Sequence, residues 1–182
     1  VKGVSFAETI EIKDPYTHLP VKKEMKPFSQ ELYDVDDDAK LLMLAWLWKY
    51  QPDLNWRVNP DQYGIDLVCD SHWTVEVEVR HSWTGHRFPF DTLHLPWRKN
   101  KFAADGSFFV VMNHERDYAL VVDSSSVGAA TTIWKDTKYT ALERFIQIPL
   151  HECLTINLTP GTDTINTLGN EKTATDSDGL IS

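Results

Sequence analysis

The chain has 182 residues, of which 42% are hydrophobic and seven are Trp, so it can form one domain with a buried core. It has no apolar run near the 18 residues of a membrane-spanning helix and begins without a signal-type apolar region, which predicts a cytoplasmic protein with no membrane partner. The net charge of −9 argues against a surface that attracts polyanions as a whole, and Cys69 and Cys153, too few for a disulfide framework or a zinc knuckle, are expected to be buried.

The first 28 residues are predicted to add a hairpin to the domain. Residues 6–12 alternate in the manner of a strand, and Asp14-Pro15 then marks a turn. Residues 21–28 are basic, contain Pro27 and are expected to form an extended connection. This N-terminal segment could serve as an extra hairpin on the sheet edge or as a contact in a homodimer.

The strongest helix signal lies at residues 39–50. An acidic cluster that begins after Ser29 leads into this run of strong helix formers, acids favour the positive end of a helix, and Pro52 closes it. Because the run is apolar on nearly all sides, we expect it to pack tightly against a sheet.

Three carboxylates follow on two predicted neighbouring strands, at residues 63–68 and 73–80. Side chains alternate along a strand, so Glu76, Glu78 and Arg80 share one face while three valines point the other way. Asp66 lies on the preceding strand. Burying like charges requires a cation or hydrogen-bond donors, so the arrangement predicts a site for a divalent metal. The alternative is a half-exposed strand with cross-strand salt bridges and an Asp66 that caps a turn.

A basic segment at residues 80–101 follows directly. It holds five bases against one acid, a balance of +4 that leaves −13 for the rest of the chain. Its predicted nucleic-acid-binding residues are Arg87, Arg98, Lys101 and Trp97. Its aromatic side chains could stack on unpaired bases or only cover the sheet edge: Trp83, Phe88, Phe90 and Trp97. A solvated, charged loop is the alternative for the whole segment.

The second half of the chain reads mainly as strands. Residues 85–96 are expected to be a loop, since Pro89 and Pro96 exclude a regular ladder, and residues 98–104 a short helix. Residues 107–113 and 118–123 predict buried strands, and residues 143–150 and 153–158 predict peripheral ones. Beyond Pro160 the composition predicts a flexible tail.

This order predicts an α/β fold with a mixed central sheet flanked by helices and an N-terminal hairpin extension. Residues 1–159 form a single domain with its core at about residues 29–123, and residues 160–182 form the tail.

The acidic-led helix, the Gly-x-Asp-Leu at Asp66 and the Val-Glu-Val-Glu-Val-Arg that ends at Arg80 together resemble the PD-(D/E)xK nuclease superfamily, the fold of restriction endonucleases and of many resolvases and exonucleases. The resemblance covers residues 31–123. It implies a restriction-endonuclease-like core in which an Asp on one strand and an (Asp/Glu)-x-Lys motif on the next bind one or two Mg²⁺ (or Mn²⁺) and activate water for phosphodiester cleavage.

Asp66 matches the first acid of that motif, and the second half fits in two ways. If Glu76 is the acid, Glu78 stands in the place of the Lys. If Glu78 is the acid, Arg80 stands there, and Lys99 could supply the missing amine from the following helix. Arg stays protonated, so it stabilises phosphate charge more readily than it acts as a base. We favour Asp66 and Glu78 as ligands with Arg80 or Lys99 as the cation, and keep Glu76 as a third candidate ligand.

Carboxylate oxygens suit Mg²⁺, which commonly binds through one or two carboxylates plus substrate phosphate. Asp38 or Glu31, near the helix start, could complete the site. Two functions follow from the sequence. The first is metal-dependent hydrolysis of nucleic acid, with DNA as the expected substrate. The second is a catalytically inactive domain of the same fold that binds nucleic acid or a protein partner.

Overall fold

The structure, a computed structural model, describes residues 11–13, 20–22, 30–137, 142–159 and 165–167, with side chains for residues 36–137 and 142–159. Within these residues the chain forms two α-helices and twelve strands. The helices are α1 (Gln30–Tyr50) and α2 (Ser124–Ala129). The strands are β1 (Glu11–Lys13), β2 (Pro20–Lys22), β3 (Arg57–Val58), β4 (Leu67–Val68), β5 (Thr74–Val79), β6 (Thr92–Pro96), β7 (Ser107–Met112), β8 (Tyr118–Asp123), β9 (Thr131–Lys135), β10 (Glu143–Pro149), β11 (Leu154–Asn157) and β12 (Ile165–Thr167).

The main sheet has seven strands in the described part of the chain, in the order β12-β11-β8-β7-β5-β4-β3. The pair β5 and β7 is parallel, and the other neighbours are antiparallel. The connection from β5 to β7 contains β6 and a 3-10 helix, Trp97–Phe102. The protein is therefore a mixed α/β fold, as predicted, and the basic segment forms the crossover beside its central strands.

One face of the main sheet packs against α1. Ala39, Met43 and Leu47 repeat every four residues on one side of the helix and meet Val75 and Val77 of β5 in a buried cluster. The predicted packing on a sheet is confirmed. It involves one side of the helix, because Leu41 and Trp48 on the outer side are 57% and 53% exposed.

The other face of the main sheet is covered by a second sheet. This small sheet has the strand order β6-β10-β9 and contributes Leu95 and Ile146 to a second buried cluster, where they meet Phe109 and Val111 of β7. The expectation of a sheet flanked by helices is therefore only partly met on this side, where the described helices contribute Val127 of α2 and Phe102 of the 3-10 helix. Trp83 and Phe88 are buried in the same cluster, so for these two aromatics the covering role is correct and base stacking is not.

The prediction of a loop at residues 85–96 is wrong for β6. Thr92–Pro96 pairs with β10 in antiparallel register, with Pro96 opposite Phe145. Pro96 is tolerated because it is the last residue of a strand at the edge of the small sheet, where one side of the ladder needs no donor. The strand at residues 143–150, expected at the periphery, is consequently the middle strand of the small sheet.

The strand predicted at residues 63–68 is shortened to β4. Asn59 Oδ1 accepts a hydrogen bond from the Asp61 amide, and Asp61 Oδ1 accepts one from the Tyr63 amide. These local bonds offer the backbone a turn in place of a ladder. The acidic cluster also lies differently from the expectation, because α1 begins at Gln30 and Asp36 falls roughly two turns inside it.

The other predicted elements are present, whereas β3, α2 and β9 were not predicted. The strands at residues 73–80, 107–113, 118–123 and 153–158 are β5, β7, β8 and β11, and the short helix at 98–104 is the 3-10 helix. The hairpin is confirmed by the pairing of β1 with β2, and both cysteines are buried and free. Within the predicted tail, β12 pairs with β11, and the remainder of that tail lies outside the described residues. No helix in the described part of the chain has the length and apolarity needed to cross a bilayer.

Candidate active site

The three predicted carboxylates lie close together, two on β5 and one at the residue before β4. Glu76 and Glu78 alternate with the buried valines of β5, as predicted. Leu67 of β4 pairs with Val75 of β5, and Asp66 is the residue just before β4, where this pairing ends. Asp66 Oδ2 also accepts a hydrogen bond of 2.8 Å from the Val77 amide. Asp66 therefore lies beside β5 at Val77, close enough to Glu76 for its negative charge to raise the pKa of that residue.

These carboxylates open into a polar depression of about 330 Å³. Its charged lining consists of four acids and three bases, with one His beside them. The acids are Asp36, Asp66, Glu76 and Glu78, the bases are Lys40, Arg98 and Lys99, and the His is His81. Helix α1, strand β5 and the 3-10 helix each contribute, so the depression joins segments that are far apart in sequence.

Lys99 bridges the two glutamates. Its Nζ lies 3.0 Å from Glu76 Oε1 and 3.1 Å from Glu78 Oε2, and the residues Lys99 and Glu76 are only 9% and 8% exposed. Burial works to lower the pKa of Lys99, but Glu78 and Glu76 together outweigh it and raise that pKa. The ammonium is therefore held in its charged form between the two carboxylates.

Glu78 is the better neutralised of the two glutamates. Arg80 Nη2 donates to Glu78 Oε1 at 2.8 Å and to the His94 carbonyl at 2.9 Å. Burial works to raise the pKa of Glu78, but Lys99 and Arg80 reverse the effect and lower it. Glu78 is consequently a stable carboxylate that orients two cations.

Glu76 is left with an unsatisfied oxygen. Its Oε2 is buried and has no hydrogen-bond partner among the described residues. Burial raises the pKa of Glu76, Lys99 opposes this, and the negative charges of Asp66 and Glu78 add to the rise. A buried carboxylate oxygen without a donor favours a proton or a cation at that position.

Lys40 of α1 is a site residue that the sequence did not single out. Its Nζ lies 3.2 Å from Asp66 Oδ1 and 3.3 Å from Asp37 Oδ1. Partial burial works to lower the pKa of Lys40, but Asp66 and then Asp37 raise it. The available signal was its position as the only charged residue between Ala39 and Trp48 in an otherwise apolar run.

The acid that α1 brings to the depression is Asp36. Burial raises its pKa, while His81, Lys40 and Lys99 work in the opposite direction. Asp38, the predicted candidate, instead lies 3.4 Å from Arg116 Nη1 and does not line the depression. The side chain of Glu31, the other candidate, lies outside the described residues.

Of the predicted nucleic-acid-binding residues, Arg98 lines the depression, whereas Trp97, Lys101 and Arg87 do not. Arg98 lines the depression and forms no hydrogen bond or ion pair with the part of the chain that the structure describes. Trp97 and Lys101 belong to the same 3-10 helix, and Lys101 Nζ lies 3.4 Å from the Tyr63 carbonyl. Arg87 is exposed and does not line the depression.

The donor set fits a hard divalent cation that keeps much of its water. No group of three His, Cys, Asp or Glu side chains in the described ranges could enclose a metal by itself. Mg²⁺ does not require such a cage, since it usually binds through one or two carboxylates, several waters and a substrate phosphate. Asp66 and Glu76, with the unsatisfied Oε2, are the residues that would hold it.

Comparison of the chain with models of known protein families, with curated proteins and with solved structures gave no match. The geometry and charge of the depression are therefore what indicates a function.

Proposed function

We propose that the chain hydrolyses phosphodiester bonds of nucleic acid, DNA in the first instance, as a PD-(D/E)xK-type nuclease that depends on Mg²⁺ or Mn²⁺. The restriction-endonuclease-like character of the core is part of this proposal. The observation that carries it is the presence of Asp66, Glu76 and Lys99 in one depression, where the charge of Asp66 acts on Glu76. When bound by these carboxylates, a divalent cation supplies positive charge to a phosphate and lowers the pKa of water.

The chain's own cations give the depression its affinity for phosphate. Arg98 is exposed at its rim without a partner among the described residues, so it can bind a phosphate oxygen without breaking an ion pair. Lys99 is held at hydrogen-bond distance by both glutamates, and a fixed ammonium stabilises negative charge that develops nearby. In this proposal Lys99 takes the role of the family's lysine, Glu78 and Arg80 position it, and Arg80 itself contacts no substrate.

Lys40 has a supporting role in the same proposal. Its ion pair with Asp66 and the Val77 amide fix both oxygens of that carboxylate. A carboxylate oxygen accepts more than one donor, so each still offers a lone pair toward the depression. The orientation of Asp66 is therefore set before any substrate arrives.

The inactive domain remains the second candidate because of one observation. The three bases of the lining and Arg80, which pairs with Glu78, balance the four acids, so the site is close to electroneutral without any added cation. Such an arrangement also suits a domain that uses the depression only to bind phosphate groups.

A cleavage assay separates the two candidates. Wild-type protein is incubated with supercoiled plasmid and with labelled oligonucleotides in Mg²⁺, in Mn²⁺ and in EDTA. We expect cleavage in at least one metal, none in EDTA, and a rate reduced by about 10²-fold or more in Asp66→Asn and Glu76→Gln. Circular dichroism and thermal unfolding establish that each variant is folded.

Asp70→Asn is the matched control. Asp70 lies four residues from Asp66, is largely exposed, and pairs with Arg57 outside the depression. Its variant makes the same chemical change and should cleave at the wild-type rate. Absence of cleavage in both metals would leave the inactive domain, and equal rates for Asp66→Asn and wild type would exclude catalysis at this depression.

A further inference from the structure

Three side chains form a row at one end of the small sheet, which we call the stacking row: Trp97, Arg144 and Trp134. Arg144 and Trp134 are cross-strand partners in β10 and β9, so they share a face. The register of β10 with β6 ends at Phe145 and Pro96, and one step further Trp97 falls opposite Arg144. The guanidinium carbon of Arg144 lies 3.8 Å from the centroid of the Trp97 ring.

Arg144 is fixed in place, Trp97 stacks on it, and the row is partly open to solvent. Arg144 donates from Nε and Nη2 to Thr132 Oγ1, at 3.2 and 3.1 Å, which sets the plane of its guanidinium. Trp97 and Trp134 remain 37% and 50% exposed, whereas Trp83 in the adjoining core is fully buried. An ordered aromatic surface loses little conformational freedom when a planar ligand stacks on it.

The surroundings of the row carry positive charge in a chain whose net charge is −9. The 3-10 helix, β9 and β10 together contain five bases and one acid, Glu143, which lies opposite Lys135 in the register. The bases are Arg98, Lys99, Lys101, Lys135 and Arg144, of which Lys99 is already paired with Glu76 and Glu78. Exposed apolar side chains are common on protein surfaces, so an exposed Trp alone does not indicate a binding site. Aromatic side chains interleaved with bases are complementary to a ligand that has both planar rings and phosphates.

The row also lies beside the depression. Pro96 and Arg98 both line the depression, and Trp97 is the residue between them. A strand whose phosphate is held at Arg98 therefore has the row directly alongside, where its next bases can stack.

We propose that the stacking row binds unpaired nucleobases, so that the substrate is a single-stranded nucleic acid or a single-stranded segment of one. This inference rests on the proposed function for the chemistry at the depression, and it adds the substrate class. An unpaired base offers a free π-face, whereas bases inside a duplex are covered by their neighbours. Duplex binding would instead draw on many phosphate contacts, which a chain with this net charge supplies only locally.

Binding without cleavage tests the proposal. Fluorescence anisotropy of the Asp66→Asn chain in EDTA is measured with labelled 15-nucleotide single-stranded DNA, with single-stranded RNA of the same sequence, and with the matching DNA duplex. We expect at least one single strand to bind about tenfold or more tightly than the duplex. The two single-stranded arms tell which nucleic acid is preferred.

Variants in the row then assign this preference. Adding Trp134→Ala should weaken single-strand binding about tenfold and leave duplex binding unchanged, while Trp134→Phe should retain most of the affinity because it keeps a ring. Trp48→Ala, on the outer side of α1, removes a similarly exposed Trp from the opposite face of the main sheet and should have no effect on binding. Thermal unfolding establishes that the variants are folded.

Two results would overturn the proposal: duplex binding as tight as that of both single strands, or unchanged single-strand affinity in Trp134→Ala. Neither depends on catalysis. A protein that binds single strands through Trp134 and cleaves nothing in Mg²⁺ or Mn²⁺ contradicts the proposed nuclease alone. A protein that cleaves duplex DNA and is indifferent to Trp134 contradicts the stacking row alone.

Discussion

The two faces of β5 are buried by different interactions, apolar packing on one and ion pairs on the other. On one face Val75, Val77 and Val79 pack against α1 and need only neighbours of suitable size. On the other face Glu76 and Glu78 are held by Lys99, which comes from the 3-10 helix after β6. We refer to these as the valine face and the glutamate face.

The difference shows where tolerance to substitution should lie. Valine burial is non-directional, so its contribution is spread over many weak contacts and is lost in small steps. A buried ion pair contributes little net stability when complete, but removal of one partner leaves an uncompensated charge in a poorly solvated place. The glutamate face should therefore be the more fragile of the two, although it contains fewer buried groups.

The largest effect is expected from Lys99→Met. The change keeps the length of the side chain and removes its charge, which leaves Glu76 and Glu78 beside each other with Arg80 as the remaining direct partner of Glu78. We expect the free energy of unfolding at pH 8 to fall by about 3–5 kcal/mol. Urea denaturation in EDTA measures it. Lys99→Arg, which retains the charge, should lose much less, and equal losses would show that packing rather than charge dominates.

The valine face should respond less, and without dependence on pH. Val77→Ala removes two buried methyl groups, and we expect a loss of about 2 kcal/mol in the free energy of unfolding, the same at pH 5 and pH 8. Val58→Ala on β3 is the control, since Val58 is 41% exposed and should lose less than about 0.5 kcal/mol. A Val77→Ala loss larger than that of Lys99→Met would reverse the ranking of the two faces.

Ionisation of the two glutamates should have opposite effects on the free energy of unfolding. The folded-state pKa of Glu78 is lowered, so its ionised form stabilises the fold above the unfolded pKa, and this contribution is lost as pH falls through the folded value. We expect Glu78→Gln to cost about 2 kcal/mol at pH 7, because it weakens bonds to two cations. The cost should shrink in acid.

Glu76 has a raised pKa, so its ionisation costs stability as pH rises from the unfolded value of about 4.5 through the folded one. Glu76→Gln should therefore stabilise the fold at pH 7 relative to its effect at pH 4. Urea denaturation across this range, in EDTA, measures both variants. Parallel pH profiles for the two would contradict the assignment of Glu78 as the neutralised partner and Glu76 as the unsatisfied one.

The sequence predicts which residues lie on each face of β5, but only some of the residues that contact those faces. Strict alternation is enough to separate Val77 from Glu76, because the period of a strand is fixed. The placement of Asp66 beside Val77 depends on where the pairing of β4 with β5 ends, which alternation does not determine. Lys40 lies in an apolar run of α1, a pattern that predicts packing and not an ion pair. Its pairing with Asp66 depends on how α1 is placed on the sheet.

The small sheet was the part least accessible to sequence reasoning. Pro96 argued against a strand at residues 92–96, because Pro rarely occurs within a strand ladder. That rule does not apply to edge strands, and the sequence does not show which strand lies at an edge. Trp134 and Arg144 are 37 and 47 residues from Trp97, so the stacking row depends on strand pairing that only the tertiary structure supplies.

The smallest effect is expected at Cys153. This residue lies in the apolar part of the glutamate face, so its reactivity measures how often that part opens to solvent. It lies in the second buried cluster, and burial raises the pKa of its thiol to about 12. Since the thiolate is the reactive form, only about one thiol in ten thousand is ionised at pH 8. In Cys69→Ser, where Cys153 is the remaining cysteine, Ellman's reagent should therefore react over hours in native protein and within seconds in urea. Rapid labelling of the native variant would mean that this face opens to solvent near its apolar core, and that its fragility extends beyond the ion pairs.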